Sequence, residues 1–446
     1  MCLLLQDTLR GTGRFNEAQP LLADNGSVNR IRPLATSLAV ILTVAFCLRA
    51  GCLWSYQAER PHQALGIIPF LFEPGNIAAS LASGKGFSSP FRVETGPTAW
   101  LTPVYPFLLA GVFRIFGADT FASFMTAAGL NVLFSTLTIV PLWFAARRMG
   151  GIGAAAGPWL WAVFPNAIRL PVESMWDSSL AALLAAGILW ATLELPDSRR
   201  VWDWYAYGLL WGLALMTSPA LLSVLPFLLG WAAWRSRRFA WAALAVGATI
   251  LCCVPWTIRN YRVFHSFVPL RSVVGLTLWL GNHDQSRGEW PGRLHPIDNS
   301  GERDRYIELG EIGYMTEKKD EALQFMTEHP WAEARACWYR FVVIWTGGSA
   351  HPLDDFLNSD SWPFRGILLF NLLGSIGALA GLVILFRGRN RYAFPLAVFP
   401  VIFPIIYYIT LASARYRLPM DAAILLLCAV ALHRCGGLTA RRRSGG

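Results

Sequence analysis

Charged residues are scarce in this sequence, and that scarcity excludes an ordinary soluble protein. Of its 446 residues, 15% are charged and 54% are hydrophobic, whereas soluble domains carry about 25% charged residues. The composition therefore predicts a chain that crosses a membrane several times. The cysteines do not indicate a fold held by disulfides or metal ions, because most of the eight lie in apolar runs and no two are spaced as Cys-x-x-Cys. Neither a disulfide framework nor a zinc motif is expected.

Acidic residues are outnumbered, by 38 Lys and Arg to 28 Asp and Glu, which gives a net charge of +10. In a soluble protein this excess would suggest a nucleic-acid partner. The arginines, however, form clusters between apolar runs, which is the pattern of cytoplasmic loops in membrane proteins, and no nucleic-acid partner is expected. The clusters lie at residues 147–148, 199–200, 235–238, 387–391 and 441–443.

Placing these clusters on one side predicts an all-α polytopic membrane protein with about ten transmembrane helices and both termini cytoplasmic. Two of the spans, 151–165 and 204–217, are short for a bilayer. The predicted parts are a cytoplasmic tail at 1–33, an N-terminal membrane region at 34–258 with a first outside loop at 55–119, an outside segment at 259–362, C-terminal membrane helices at 363–433 and a cytoplasmic tail at 434–446.

The outside parts are predicted to contain interfacial helices. In residues 70–87, Ile77 and Leu81 recur at helical spacing, and a Gly-Lys-Gly-Phe turn follows them. Residues 99–117 are apolar but contain two prolines, which favours an interfacial helix over a span. In the outside segment, residues 303–327 form an amphipathic pattern, and residues 331–345 carry tryptophans suited to the membrane surface.

Three outside acids are candidates for catalysis. Glu73 precedes the short helix of the first outside loop, and Glu173 and Asp177 are spaced to share one helical face where one span ends and the next begins. Carboxylates at a bilayer boundary are costly unless they have a task or a partner. The alternatives are that Asp177 caps the following helix and that Glu73 is a solvated acid before a turn at Pro74.

Outside arginines are candidates for binding an anion. Arg415 and Arg417 lie just before the last span, on the side opposite to the arginine clusters, and Arg259 and Arg262 occupy a similar position after an earlier span. A guanidinium binds phosphate bidentately. Contact with lipid headgroups or with an outside acid is the alternative.

A further polar group consists of Asn282, His283 and Asp284. Such residues can bind a sugar or a metal ion. Adjacent residues seldom chelate one ion alone, and the other outside histidines are not at a ligand spacing, so no metal site is expected.

Several short motifs, taken in their order along the chain, resemble the GT-C superfamily of membrane glycosyltransferases. The branch that they resemble contains the protein O-mannosyltransferases and the lipid A aminoarabinose transferases. The motifs are A-x-x-L-x-x-G-x-G-F at 78–87, Pro-Val-Tyr-Pro at 103–106, PVES at 171–174, PWTIRNY at 255–261, LWLGN at 278–282 and RYRLP at 415–419. One departure is that Glu73 stands alone, where the family commonly has an Asp and a Glu close together.

The resemblance implies that the chain transfers a sugar from a polyprenyl-phosphate donor to a lipid, glycan or protein acceptor. The reaction would take place on the outer face of a bacterial-type inner membrane, without a cofactor, and the prenyl tail would lie between spans. The catalytic candidates are Glu73 as general base, Glu173 and Asp177. The candidates for binding donor or acceptor are Arg259, Arg262, Arg415, Arg417, Tyr105, Asn282 and His283.

Two other functions are compatible with the pattern. A transporter or flippase for a lipid-linked sugar would carry polar groups at mid-span and broken helices in repeated halves, whereas these spans are almost free of charge and the acids gather on one side. A glycan polymerase or ligase would use the same chemistry with a different acceptor.

Overall fold

The computed structural model describes residues 37–59, 70–150, 155–283 and 292–443. The predicted tail at 1–33 and Asp284 lie outside these residues. The described chain is built from α-helices, with short 3-10 helices and one isolated β-bridge between Ser88 and Pro97. It is an all-α polytopic membrane protein, as predicted.

The first half of the described chain contains ten of the helices. They are α1 (Leu38–Ala58), α2 (Glu73–Ala82), α3 (Val104–Phe116), α4 (Phe121–Leu137), α5 (Ile139–Arg148), α6 (Ala156–Ala162), α7 (Pro165–Glu173), α8 (Ser178–Glu194), α9 (Val201–Leu215) and α10 (Leu225–Ser236).

The second half contains the outside helices and the C-terminal membrane helices. They are α11 (Phe239–Phe264), α12 (Val274–Gly281), α13 (Ser300–Glu328), α14 (Pro330–Thr346), α15 (Pro352–Asn358), α16 (Trp362–Arg387), α17 (Ala393–Ile402), α18 (Ile405–Ile409) and α19 (Ala414–Arg443).

Six helices of the described residues are long and apolar enough to cross a membrane. The total of about ten spans therefore stays a prediction. The six are Leu38–Ala58, Phe121–Arg148, Ser178–Asp197, Phe239–Phe264, Trp362–Arg387 and Ala414–Cys435.

The four segments predicted as interfacial helices are helical, with small changes of boundary, and their location at the interface stays a prediction. Helix α2 lies within 70–87 and α3 within 99–117, while α13 and α14 correspond to 303–327 and 331–345. Helix α2 ends before Gly84 and Gly86, whose φ angles of 81° and 79° require glycine. Helix α3 starts directly after Pro103 and contains Pro106 in its first turn, where a proline is tolerated because the first N–H groups have no partner within the helix.

The predicted span at 151–165 contains α6, and a break in the helix near its end separates α6 from α7. Helix α6 ends at Ala162 and α7 begins at Pro165, and residues 151–154 lie outside the described chain. The physical reason is Pro165, which disfavours helical geometry at Phe164 and has no N–H to continue the ladder. The two short helices follow each other and bring Glu173 to the end of α7.

Helix α8 is the centre of the membrane region, because 89% of its apolar stretch is buried. It packs against α19, α5, α4 and α9. Glycines bring other helices close together: a Cβ added at Gly208 of α9 would lie 2.2 Å from the Ala245 oxygen of α11. Small residues that let backbones approach are typical of helix packing in membranes.

Candidate active site

A cavity of about 320 Å³ lies where the first turn of α8 meets the first turn of α19. Its walls also come from α2, α3, α12 and α18. Its charged lining residues are Asp177, Arg271 and Arg415, and its lining tyrosines are Tyr105, Tyr407 and Tyr416. Other walls are apolar, formed by Leu101, Ala181, Pro219, Ala220, Leu222, Leu270, Val274, Ile406 and Leu411.

Arg415 is held in this cavity by aromatic rings. Its guanidinium carbon lies 3.5 Å from the ring centroid of Trp176 and 5.0 Å from that of Tyr416. Its Nη2 also donates to the Tyr416 hydroxyl at 3.3 Å. The Tyr416 ring in turn stacks on Tyr407, with centroids 4.7 Å apart. Cation–π contacts position a charge without neutralising it, so Arg415 remains able to bind an anion.

Asp177 is the carboxylate that lines the cavity. It occupies the N-cap position of α8, but its side chain makes no capping hydrogen bond, so the capping alternative does not account for it. Burial raises the pKa of Asp177 above its usual range, and the nearby charges of Arg415 and Arg271 and a backbone hydrogen bond offset only part of that rise. A half-buried carboxylate with a raised pKa, influenced by two guanidinium groups, is typical of a functional site.

Glu73 lies beside the cavity rather than in its wall. Its neighbour Pro74 lines the cavity, while Glu73 itself is buried, with Oε1 3.1 Å from His295 Nε2. His295 Nδ1 accepts a hydrogen bond from the Ile297 N–H, so Nε2 is the nitrogen that donates to Glu73. The alternative of a solvated acid is therefore wrong.

The pKa of Glu73 moves in the opposite direction to that of Asp177. Burial alone would raise the pKa of Glu73, but His295, a backbone N–H and Arg415 together outweigh burial and hold the pKa below its usual range. Glu73 therefore keeps its negative charge although it is buried.

Glu173 lies away from the cavity. It ends α7 and forms an ion pair with Arg169 one turn earlier on the surface. The predicted shared face with Asp177 is wrong, because α7 ends at Glu173 and a new helix begins at Ser178. The spacing of four residues therefore crosses a bend.

Three of the four predicted arginines lie outside the cavity wall. Arg417 is buried, 2.7 Å from Asp421 Oδ1, and also donates to the carbonyls of Ile344 and Trp345. Arg259 donates to the carbonyls of Thr98 and Phe87. Both guanidinium groups therefore bond to other parts of the protein. Because Arg417 is buried among these partners, the phosphate-binding role predicted for it does not fit its position.

Of the remaining predicted binding residues, one lines the cavity and three lie outside its wall. Tyr105 lines the cavity, and its hydroxyl bonds to Asn131 at 3.2 Å. Asn282 is buried outside the wall, where it accepts from Arg340 and donates to the Ile409 carbonyl. His283 packs against Trp279, and Arg262 is exposed on α11.

Arg271 is the main cavity residue that the motifs do not point to. It lies in the outside segment shortly before α12, and its side chain faces the same cavity as Arg415. Its isolated position in the predicted outside segment was the available signal. Trp176, which lies between Met175 and Asp177, is likewise absent from the motifs.

Within the described residues, no group of three or more His, Cys, Asp and Glu side chains is arranged to hold a metal ion. Metal independence stays a prediction.

Comparisons with known proteins agree with this architecture. The family model for dolichyl-phosphate-mannose-protein mannosyltransferases matches residues 100–258. The apo oligosaccharyltransferase of Archaeoglobus fulgidus matches with a TM-score of 0.51 at 12% identity, covering 91% of this chain and 51% of that one. The chain has the GT-C fold. These likenesses show the fold, and membership of the superfamily that the motifs resemble stays a prediction.

Two further structures extend the comparison of this GT-C chain. The complex of A. fulgidus AglB with an inhibitory peptide and a dolichol-phosphate matches with a TM-score of 0.50 at 13% identity, over 91% of this chain and 51% of that one. ArnT of Cupriavidus metallidurans bound to undecaprenyl phosphate has a TM-score of 0.36 at 16% identity, over 92% and 79%, which is too distant to support an argument. The chain spans about half the length of the archaeal enzyme. No curated protein matches it by sequence.

Proposed function

We propose that this chain is a membrane glycosyltransferase that moves a sugar from a polyprenyl-phosphate donor to an acceptor. The observation that carries the proposal is one cavity lined by a carboxylate, Asp177, and two guanidinium residues, Arg271 and Arg415, with apolar walls beside them. The guanidinium groups suit a phosphate, and the apolar walls suit the first part of a prenyl chain. The dolichol-phosphate in the AglB complex supports a donor of this class.

In the proposed reaction, an acceptor hydroxyl attacks the anomeric carbon of the donor sugar. The bond between that carbon and the phosphate oxygen breaks, and its electron pair leaves with the polyprenyl phosphate. Arg271 and Arg415 stabilise the charge that develops on this leaving group. Asp177 accepts the hydroxyl proton, and its raised pKa makes it a stronger base than an exposed aspartate.

Glu73 has a supporting role in this scheme in place of the base role that the resemblance implies. Its buried carboxylate is close enough to Arg415 for the two charges to interact. We infer that Glu73 helps to orient Arg415. The role of Glu173 in positioning acceptor or donor sugar stays a prediction.

The cavity is proposed to open toward the outer face of a bacterial-type inner membrane, with both termini cytoplasmic. Helix α8 supports this orientation, since Asp177 precedes its first residue and Glu194 ends it. At that far end, Arg148 pairs with Glu194, and Arg391 lies 3.1 Å from Asp197. The arginine clusters and the cavity therefore lie at opposite ends of one membrane helix.

Sugar transfer in membranes tests the proposal directly. The assay measures transfer of label from a radiolabelled polyprenyl-phosphate sugar. The donor is identified separately, by mass spectrometry of the lipid-linked sugars that accumulate when the protein is deleted. Asp177→Asn is expected to lower the transfer rate by roughly 10²-fold or more, because the proton acceptor is lost.

The matched control is Glu94→Gln, which changes an exposed acid of the predicted outside loop that pairs with Lys85. This variant is expected to keep full activity. Full activity in Asp177→Asn would contradict the assignment. The labelled product distinguishes simple transfer from glycan polymerisation or ligation.

A further inference from the structure

A single buried carboxylate joins the outside segment to the wall of the cavity. Glu311 lies in α13, is 6% exposed, and follows Gly310, whose φ of 67° bends the helix at this point. A buried charge is costly unless its oxygens are fully hydrogen-bonded, so the partners of Glu311 indicate what the residue does.

Glu311 accepts four hydrogen bonds from three parts of the chain. Thr98 Oγ1 lies at 2.5 Å and the Ala99 N–H nitrogen at 2.7 Å, both in the first outside loop before α3. Ser272 Oγ lies at 2.6 Å, in the segment before α12. The Tyr306 hydroxyl of α13 itself lies at 2.7 Å.

The residues next to these donors form the cavity. Arg271 precedes Ser272, while Leu101 and Thr102 follow Ala99, and all three line the cavity. The Ser272 N–H also donates to the Ala99 carbonyl at 2.9 Å. The backbone at Arg271 is therefore tied to the first outside loop both directly and through the carboxylate of Glu311.

We propose that Glu311 is a positioning residue that holds Arg271 in place for the donor phosphate. The inference rests on the proposed function, since it takes Arg271 as a phosphate ligand. It assigns a task to the outside segment, which sets the position of one of the two cations that bind the lipid donor. Glu311 itself does not touch the substrate.

Binding of undecaprenyl phosphate tests this role. Full-length purified protein is titrated with that lipid, and the dissociation constant is measured by native mass spectrometry. Glu311→Gln keeps the size of the side chain but turns an NH2 group toward groups that all donate. We expect about tenfold weaker binding, the equivalent of one charge-assisted hydrogen bond.

The matched control is Glu302→Gln on the same helix. Glu302 also accepts from a tyrosine hydroxyl, that of Tyr314, and from Lys318, but no neighbour of its partners lines the cavity. Lipid binding is expected to stay at the wild-type value in this variant. Weakening in both glutamine variants alike would overturn the proposal in favour of general support of the fold.

A double-mutant comparison separates positioning from stability. If Glu311 acts through Arg271, Glu311→Gln has no further effect on binding in an Arg271→Ala background, whereas it still weakens binding in an Arg415→Ala background. Ser272→Ala removes only the hydroxyl that joins Glu311 to the segment containing Arg271. If Glu311→Gln does not fold, lipid binding by Ser272→Ala tests the same role of Glu311. The effect of Ser272→Ala should be smaller and should also disappear in Arg271→Ala.

The possible results separate the two claims. Wild-type binding in Ser272→Ala and Glu311→Gln, with weak binding in Arg271→Ala, overturns the role of Glu311 and leaves the proposed function intact. Wild-type binding in both Arg271→Ala and Arg415→Ala overturns the phosphate site itself, and the role of Glu311 with it.

Discussion

Asp177, which is half-buried, and Glu73, which is buried, are two carboxylates in neighbouring but unlike environments. Asp177 lines the cavity, and burial raises its pKa. Glu73 accepts from His295, and its pKa is held low. Environments that push two carboxyl groups apart in this way commonly separate a proton-transfer role from an electrostatic one. The resemblance implied that Glu73 is the base. The local sequence gives no sign of its partner His295, which is more than two hundred residues away in the chain.

The pH dependence of transfer is the prediction at this scale. Asp177 must be unprotonated to act as a base, so activity falls as the pH drops through its pKa, which lies above the ordinary value of about 3.9. The charge of Arg415 opposes that rise. In Arg415→Gln the pKa of Asp177 should therefore increase, and the acid limb of kcat/KM should move to higher pH. The profile is measured on the residual activity of the variant.

Lys85→Gln is the control for that profile, since Lys85 is an exposed outside cation paired with Glu94. Its acid limb should coincide with that of the wild type. An unchanged limb in Arg415→Gln would mean that the titrating group is not Asp177.

Arg415 and Arg417 show what a sequence motif predicts and what it leaves open. The motif places both residues at the outer start of the last span, but α19 already includes them. Two residues on a helix are rotated by roughly 200°, so the side chains point in opposite directions. Arg415 enters the cavity, whereas Arg417 turns into the protein toward Asp421.

At the scale of helices, two buried arginines donate hydrogen bonds to the last carbonyl groups of neighbouring helices. Arg49 of α1 donates to the carbonyls of Trp161 and Ala162 at the end of α6, and to Ser135 Oγ. Arg417 does the same for the last turn of α14. The last carbonyls of a helix have no partner within the helix, and in lipid they cannot be left unpaired. Sequence patterns predicted the helices, but these contacts span more than seventy residues.

Arg49→Met is expected to destabilise the protein through this loss. The carbonyls at the end of α6 would remain buried without a donor, at a cost of about 1–3 kcal/mol for each group. Thermal unfolding in detergent should therefore occur at a clearly lower temperature. Arg114→Met, which removes an exposed cation from α3, serves as the control and should unfold close to the wild type. Equal unfolding temperatures for the two variants would show that Arg49 does not stabilise the break between α6 and α7.

At the scale of the whole molecule, the sequence predicted the architecture better than the cavity. Apolar runs and arginine clusters are local features, and they were sufficient for the fold class. The cavity joins α2, α8, α12 and α19, whose residues are far apart in the chain. The motifs do not point to Arg271, and the fold places it in the wall that also contains Arg415. Pro74 of the first outside loop and Arg415 at the start of α19 line one cavity.

The sidedness of the whole molecule follows from the same arrangement and can be measured. Lys85 follows α2, whose first turn borders the cavity, and Arg199 lies in the arginine cluster beyond the far end of α8; both side chains are exposed. Because clusters of positive residues mark the cytoplasmic side, the end of α8 near Arg199 is expected there and Lys85 on the opposite side. A thiol reagent that cannot cross membranes should therefore label Lys85→Cys in intact cells. Arg199→Cys should be labelled only after permeabilisation, with the parent protein as the background for its native cysteines. Labelling of both positions from the same side would remove the basis for a reaction on the outer face, because the cavity and the arginine clusters could not then lie on opposite sides of the membrane.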